Sequence, residues 1–172
     1  MTATYSLQAL SSMDEPAFVA ALGDLYEHSP WVAAAAWQSR PFNDRSALQA
    51  ALSQAMQNAD PAKQLALIRA HPELAGKAAV RGELTAESQT EQVGAGLDQC
   101  SPQEFEEIQM LNHAWQDKFG FPFVIAVRGL TRADIIAAMR KRLAHDKLTE
   151  FGEALHQIDR IAELRLVQRL SA

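Results

Sequence analysis

Apolar residues in this chain recur at intervals of three and four, and no stretch alternates strictly enough to supply the strands of a sheet. Leu48, Leu52 and Met56 fall four apart. Phe18, Leu22, Leu25 and Tyr26 fall at helical spacing, and Phe151, Leu155, Ile158 and Ala162 follow at steps of four, three and four. A stripe of this kind places its side chains on one face of a helix, and a set of striped helices buries those faces against one another. The fold class that follows is all-α: a single-domain bundle of about eight helices over residues 1–172, with no repeat of solenoid length. A chain of 172 residues buries roughly 70% of its unfolded surface, so its core needs no disulfide or metal staple.

Helix boundaries follow from the capping residues. Residues 1–13 read as a polar lead-in, after which Asp14 or Ser12 caps a first helix with Pro16 in its first turn. Ser29 and Pro30 suit the N-cap and first position of a helix over 31–40, where Trp31 and Trp37 pack in the core, substrate stacking being the alternative. Asn43 or Asp44 opens the next helix. Asp60-Pro61 opens another, with Leu65, Ile68 and neighbouring alanines as its buried side. Pro72 disfavours helix at His71, because the residue before proline is driven from the α region. Residues 71–84 read as a loop turning at Gly76 and Gly82, and Thr85 or Ser88 opens a helix that Gly94 and Gly96 end. Ser101-Pro102 starts a long helix, 102–119, striped by Phe105, Ile108, Leu111, Ala114 or Trp115, and Lys118 or Phe119. Gly120–Phe123 breaks it, and Val124–Val127 is extended or a buried helix start. Thr131 with Asp134 forms a capping box, and Thr149 opens the last helix, to about Leu170.

Composition narrows the function classes. A net charge of −5 opposes general nucleic-acid binding, and Arg140-Lys141-Arg142 reads as a solvated helix turn. No apolar run reaches the length of a membrane span, the N-terminal residues lack the pattern of a signal peptide, and the last residues are no peroxisomal tripeptide. The single cysteine, Cys100, excludes an intrachain disulfide and any CxxC motif, and no catalytic-cysteine signature surrounds it. A soluble cytoplasmic protein is expected. The five histidines are scattered without metal-ligand spacing, and neither a phosphate-cradling glycine loop nor a GxSxG elbow is present.

Chemistry-bearing residues concentrate between His71 and Leu97, which hold the one His-Pro step and four of the eight glycines. His71 is either a helix C-terminal cap or a general acid/base, since imidazole titrates near neutral pH. Ser88, Glu91 and Gln92 share a helix face. A Ser88–Glu91 capping box would account for two of them but not for Gln92. Together they offer donors and acceptors to a planar ligand with amide or carboxylate edges. Gly120–Val124 is either a buried aromatic turn or a backbone ligand surface freed by Pro122. In the last helix, Arg165 continues the stripe through Ile158 and Ala162, so it must snorkel, pair with an acid, or bind an anion.

Four segments in order, His71-Pro72-Glu73-Leu74-Ala75-Gly76-Lys77, Ser88-x-x-Glu91-Gln92 with Ala95-Gly96-Leu97, Phe119-Gly120-Phe121-Pro122-Phe123, and Ile161-Ala162-x-Leu164-Arg165-Leu166, resemble the OHCU decarboxylase family of ureide metabolism. OHCU is 2-oxo-4-hydroxy-4-carboxy-5-ureidoimidazoline. Tyr26–Val32 is similar too, so the resemblance covers nearly the whole chain. It implies an all-α homodimer that converts OHCU to (S)-allantoin without cofactor or metal. His71 matches the family's catalytic histidine, and Glu91 is a second catalytic candidate. Pro72, Ser88 and Gln92 match substrate contacts. Phe123, Val124, Ile125, Ala126 and Val127 match the segment whose backbone binds the ureide, and Arg165 matches a family arginine. Two other readings remain: a hydrolase of a related cyclic ureide using His71 and Glu91 to activate water, and a non-catalytic module that binds a purine-derived ligand.

Overall fold

A computed structural model of the chain describes residues 3–172. Among them are ten α-helices and a 3-10 turn, with no sheet. One isolated bridge joins Tyr5 to Leu170, where the Tyr5 N–H donates to the Arg169 carbonyl at 2.8 Å and the Tyr5 carbonyl accepts from the Ser171 N–H at 2.9 Å. Among the described residues no helix is long and apolar enough to cross a membrane. The chain divides into two compact units, one comprising the residues up to Ala70 with Ile158–Ala172, the other His71–Gln157.

The first unit holds α1 (Leu7–Ser12), α2 (Glu15–Leu22), α3 (Trp31–Trp37), α4 (Arg45–Gln57), α5 (Pro61–Ala70) and the end of the last helix, Lys147–Arg169. Helix α1 stands where the sequence predicts a lead-in; Ser6 caps it by accepting the Ala9 N–H at 3.1 Å, and Leu10 is buried. Six residues are too few to display a stripe, which is why periodicity overlooks it. Asp14 and Asp44 cap α2 and α4 as expected. Ser29 does not cap α3: its hydroxyl donates to the Glu27 carbonyl, and Pro30 takes the cap position. Helix α3 packs against α2 and α4, burying Phe18, Leu22, Leu48, Leu52 and Met56. On α5 the buried apolar pair is Leu67 and Ile68, with Leu65 half-buried. Trp31 and Trp37 are half-buried rather than core residues: the Trp37 indole donates to the Met13 carbonyl at 2.9 Å, and the Arg40 guanidinium lies 3.7 Å above its ring.

The second unit holds α6 (Lys77–Arg81), α7 (Ala86–Gly94), the 3-10 turn Leu97–Gln99, α8 (Pro102–Phe119), α9 (Arg132–Leu143) and the start of the last helix, α10. Helix α6 occupies a single turn of the expected loop, between Gly76 and Gly82. Capping boxes start α8, through Ser101 and Glu104, and α9, through Thr131 and Asp134. The Ser101 backbone N–H, aided by Arg132, holds the Glu104 carboxyl below the usual carboxylate range. Gly120, at φ 74°, ends α8 in the left-handed region that favours glycine. Helix α10 starts at Lys147, two residues before Thr149, because Asp146 accepts the Thr149 N–H at 2.8 Å. Helix α8 packs on α9 and buries Ile108, Asn112, Trp115 and Phe119, so Asn112 rather than Leu111 faces inward, while Phe105 is 39% exposed. Trp115 centres an aromatic cluster, its ring 4.6 Å from Phe119 and 4.8 Å from Phe123.

The buried Tyr26 phenol donates to Asp159 at 2.8 Å, and Ser53 donates to the other carboxylate oxygen at 2.8 Å. Burial, reinforced by the Asp159 carboxylate, pushes the phenol far above the ordinary tyrosine range. The stability this confers is fully present below the unfolded tyrosine value of about 10 and declines as pH rises past it. Urea unfolding free energies measured from about pH 9 to 11 should show a total loss of about 1.4 kcal/mol, most of it above pH 10, that Tyr26→Phe lacks.

Candidate active site

Helix α5 ends at Ala70, and His71 opens an irregular turn that runs to Gly76. His71 is only 7% exposed, and Leu74, Ala75 and Gly76 are buried. Buried peptide groups need partners. Side-chain amides supply them here. The Ala75 N–H donates to Gln92 Oε1 at 3.0 Å, and Gln92 Nε2 donates to the Glu73 carbonyl at 3.3 Å. Asn112 Nδ2 donates to the Leu74 carbonyl at 3.0 Å, and Gln109 Nε2 donates to the Ala75 carbonyl at 2.7 Å. Ala75 sits at φ 48°, a conformation that costs a residue with a β-carbon. A β-carbon on Gly76 would stand 2.8 Å from that of Glu73, so glycine is required there by close approach.

Thr85, not Ser88, caps α7: its hydroxyl accepts the Ser88 N–H at 3.3 Å. Ser88 is therefore inside the helix, and the Ser88–Glu91 capping box that sequence spacing permits is not the one used. Ser88 and Gln92 are buried and Glu91 is half-buried, so the expected shared face exists and turns inward. Through Gln92 that face is tied to the turn His71 opens.

Phe123–Val127 belongs to no helix. Its backbone is anchored at three points: Arg142 Nη1 donates to the Val124 carbonyl at 2.8 Å, the Ala126 N–H donates to Gln157 Oε1 at 3.1 Å, and the Val127 carbonyl accepts the Leu130 N–H at 3.0 Å. Arg142 departs from the solvated turn predicted for Arg140–Arg142. It is 8% exposed, its guanidinium lies 4.6 Å from the Phe123 ring, and it forms a two-pronged pair with Glu150, which is fully buried. His145 Nδ1 approaches the other Glu150 oxygen at 2.8 Å. Adjacent members of one basic run thus differ because only Arg142 points at the aromatic cluster and its acid.

Arg165 lies in the first unit and takes the acid-pairing outcome: its Nη1 donates to the buried Glu27 carboxylate at 2.9 Å. A cavity of about 400 Å³ in the second unit is lined by Ala75, Gln92, Leu97, Cys100 and Phe105, among others, but not by His71, Ser88 or Glu91. Burial, and then the Glu104 carboxylate, push the Cys100 thiol up, which disfavours the nucleophilic thiolate. Among the described residues no three His, Cys, Asp or Glu side chains converge as a metal centre would need.

Sequence reasoning missed Gln109, Asn112, Arg142 and Gln157. For Asn112 a signal was present: the four-residue step from Ile108 lands on it, as a three-residue step lands on Arg165, and a polar residue on an apolar stripe must have a partner.

The model of the OHCU decarboxylase family matches residues 11–167. The 2-oxo-4-hydroxy-4-carboxy-5-ureidoimidazoline decarboxylase of Haloferax volcanii is 44% identical over 167 residues, covering 97% of this chain and 97% of that one. A uric acid degradation bifunctional protein of Bacillus subtilis is 40% identical over 162 residues, 94% of this chain and 32% of its own length. The crystal structure of an (S)-allantoin synthase superposes on 96% of this chain and 54% of its own, with a TM-score of 0.76 and 29% identity.

The buried Arg142–Glu150 pair yields a stability prediction. Arg142→Met strands a buried carboxylate and should cost about 3–5 kcal/mol in urea unfolding, part of it recovered by adding Glu150→Leu and the rest persisting because the Val124 carbonyl still lacks its donor.

Proposed function

The chain belongs to the OHCU decarboxylase family, and we propose that it removes CO2 from OHCU to give (S)-allantoin, with His71 as the proton-transfer group and Glu91 as its partner. It is a carboxy-lyase. The observation that carries the assignment of residues is the grip of Gln92 on Glu73 and Ala75, which ties the α7 face bearing Ser88 and Glu91 to the turn that His71 opens. His71 and Ser88 are both withdrawn from solvent, as a group acting on a desolvated carboxylate should be.

The substrate carries its hydroxyl and carboxylate on one ring carbon and its ureido group on the next. When the carbon–carboxylate bond breaks, its electron pair enters the ring and CO2 leaves. The hydroxyl gives up its proton as the carbonyl of the product forms, the ring carbon bearing the ureido group takes one, and the ring nitrogen formerly double-bonded to that carbon takes a second from solvent, which balances the charge of the lost carboxylate. In this reading His71 exchanges these protons, and delivery to one face yields one enantiomer. Glu91 orients the imidazole or accepts ureido N–H groups. Gln92 retains one amide hydrogen after holding the turn, and the Ser88 hydroxyl adds a donor. Pro72, next to His71 in the chain, contacts the substrate in the same reading. The Phe123–Val127 backbone, held from Arg142 and Gln157, presents peptide edges to the ureide. The same reading makes the working form a homodimer in the cytoplasm, the first of which sedimentation velocity checks.

The test is the circular dichroism of the product, with OHCU generated in situ from urate. A racemic product is silent, so a fast rise in the (S)-allantoin signal above a protein-free blank is expected. His71→Asn should lower kcat by about 10²–10⁴-fold without loss of helical content. Full activity in that variant overturns the assignment of His71, and a signal identical to the blank overturns the reaction.

A further inference from the structure

We propose that Asn112 and Gln109 are positioning residues that hold the His71 turn in its working conformation from α8. This rests on the reading of His71 as the proton-transfer group. Asn112 is 4% exposed and stands on the apolar stripe between Ile108 and Trp115. A leucine there would continue the stripe, and an asparagine is costly to bury unless its amide is used. It is used on the Leu74 carbonyl. Gln109, one helical turn earlier on the same face, takes the next carbonyl, that of Ala75.

Two successive peptide groups are thereby fixed from one helix, while Gln92 fixes the Ala75 N–H and the Glu73 carbonyl from α7. Ala75, at φ 48°, is the residue whose conformation the clamp sustains. Without the α8 donors, two buried carbonyls lose their partners, and Ala75 is free to relax to negative φ, which redirects the chain on its His71 side. A displacement of about 1 Å at a reacting group costs about 10²-fold in rate. The clamp therefore acts on turnover through His71, and neither amide needs to touch substrate.

The experiment compares Asn112→Asp, Asn112→Leu and Gln109→Met with Ile108→Ala in the full chain, well below their melting temperatures. Asn112→Asp keeps the shape and turns an acceptor toward the Leu74 carbonyl. Ile108→Ala loosens the same buried helix face without removing a donor from the turn. The clamp variants should lose about 10–100-fold in kcat, with KM within about threefold, and should move the His71 imidazole resonances in the NMR spectrum. Ile108→Ala should lower the melting temperature and leave both alone. Gln109→Met, at a half-buried position, carries the test if the Asn112 variants fail to fold. Clamp variants that lose melting temperature alone, with kcat and the His71 resonances unchanged, overturn the proposal. His71→Asn separates the two levels: if it is inactive while Gln109→Met and the folded Asn112 variants turn over normally, only the clamp fails, and if it is fully active the premise fails.

Discussion

A buried turn cannot leave its peptide groups unpaired, and in this protein that requirement shapes the candidate site. Within the turn the Glu73 carbonyl accepts a long bond from the Gly76 N–H at 3.4 Å, and the Glu73, Leu74 and Ala75 carbonyls and the Ala75 N–H are met from outside by Gln92, Gln109 and Asn112. Each of these amides contributes little net free energy while bonded, yet removing one strands a buried carbonyl or N–H at a larger cost. That asymmetry makes the turn a defined object rather than a mobile link. It also sustains Ala75 at a positive φ, which the local sequence would not choose.

The Phe123–Val127 segment meets the same requirement with a charge. Arg142 bonds the Val124 carbonyl, lies beside the Phe123 ring and is neutralised by Glu150, which also faces His145. Burying an ion pair is costly and contributes stability only when its geometry is nearly complete. Here five hydrogen bonds converge on the two side chains. Helix interiors satisfy their own backbones and so present only side chains to a ligand. The non-helical segments on either side of α7 and α8 are where this fold has peptide edges to offer, and in both cases polar side chains from neighbouring helices hold those edges in place.

The all-α class was legible because stripes and caps agree over most of the chain. The bounds of α8 follow from Ser101-Pro102 and Gly120, and Asp14, Asp44 and Thr131 cap as their positions suggest. What escaped was short or ambiguous. Helices α1 and α6 have six and five residues, too few for a period to show. On α8, steps of three and four from Ile108 lead to Leu111 and Asn112, and hydrophobicity alone selects the wrong one. Tertiary demand decides it: the Leu74 carbonyl needs a donor more than the core needs another leucine. Ser29 beside Pro30 fits a cap, yet its hydroxyl is drawn to the Glu27 carbonyl next to it. Arg142 was hidden by its neighbours, since a run of basic residues reads as one solvated group although a helix points consecutive residues about 100° apart.

The candidate site was legible to the extent that its residues break the rules of the scaffold. Ser88 and Glu91 fit a capping box, so spacing alone could not separate cap from site; once Thr85 is seen to cap α7, both side chains lose that explanation, and the burial of Ser88 needs another. Arg165 and Asn112 are the same anomaly on different helices, a polar group where an apolar one would extend the stripe. Their resolutions differ. Arg165 meets the Glu27 carboxylate and also reaches the Asp24 and Leu25 carbonyls, whereas Asn112 meets the Leu74 carbonyl of the turn that His71 opens. A side chain that answers a buried carbonyl cannot be exchanged for an apolar one without stranding that carbonyl or moving the chain. What separates the two is which stretch of chain would move, and at Asn112 it is the turn that carries His71.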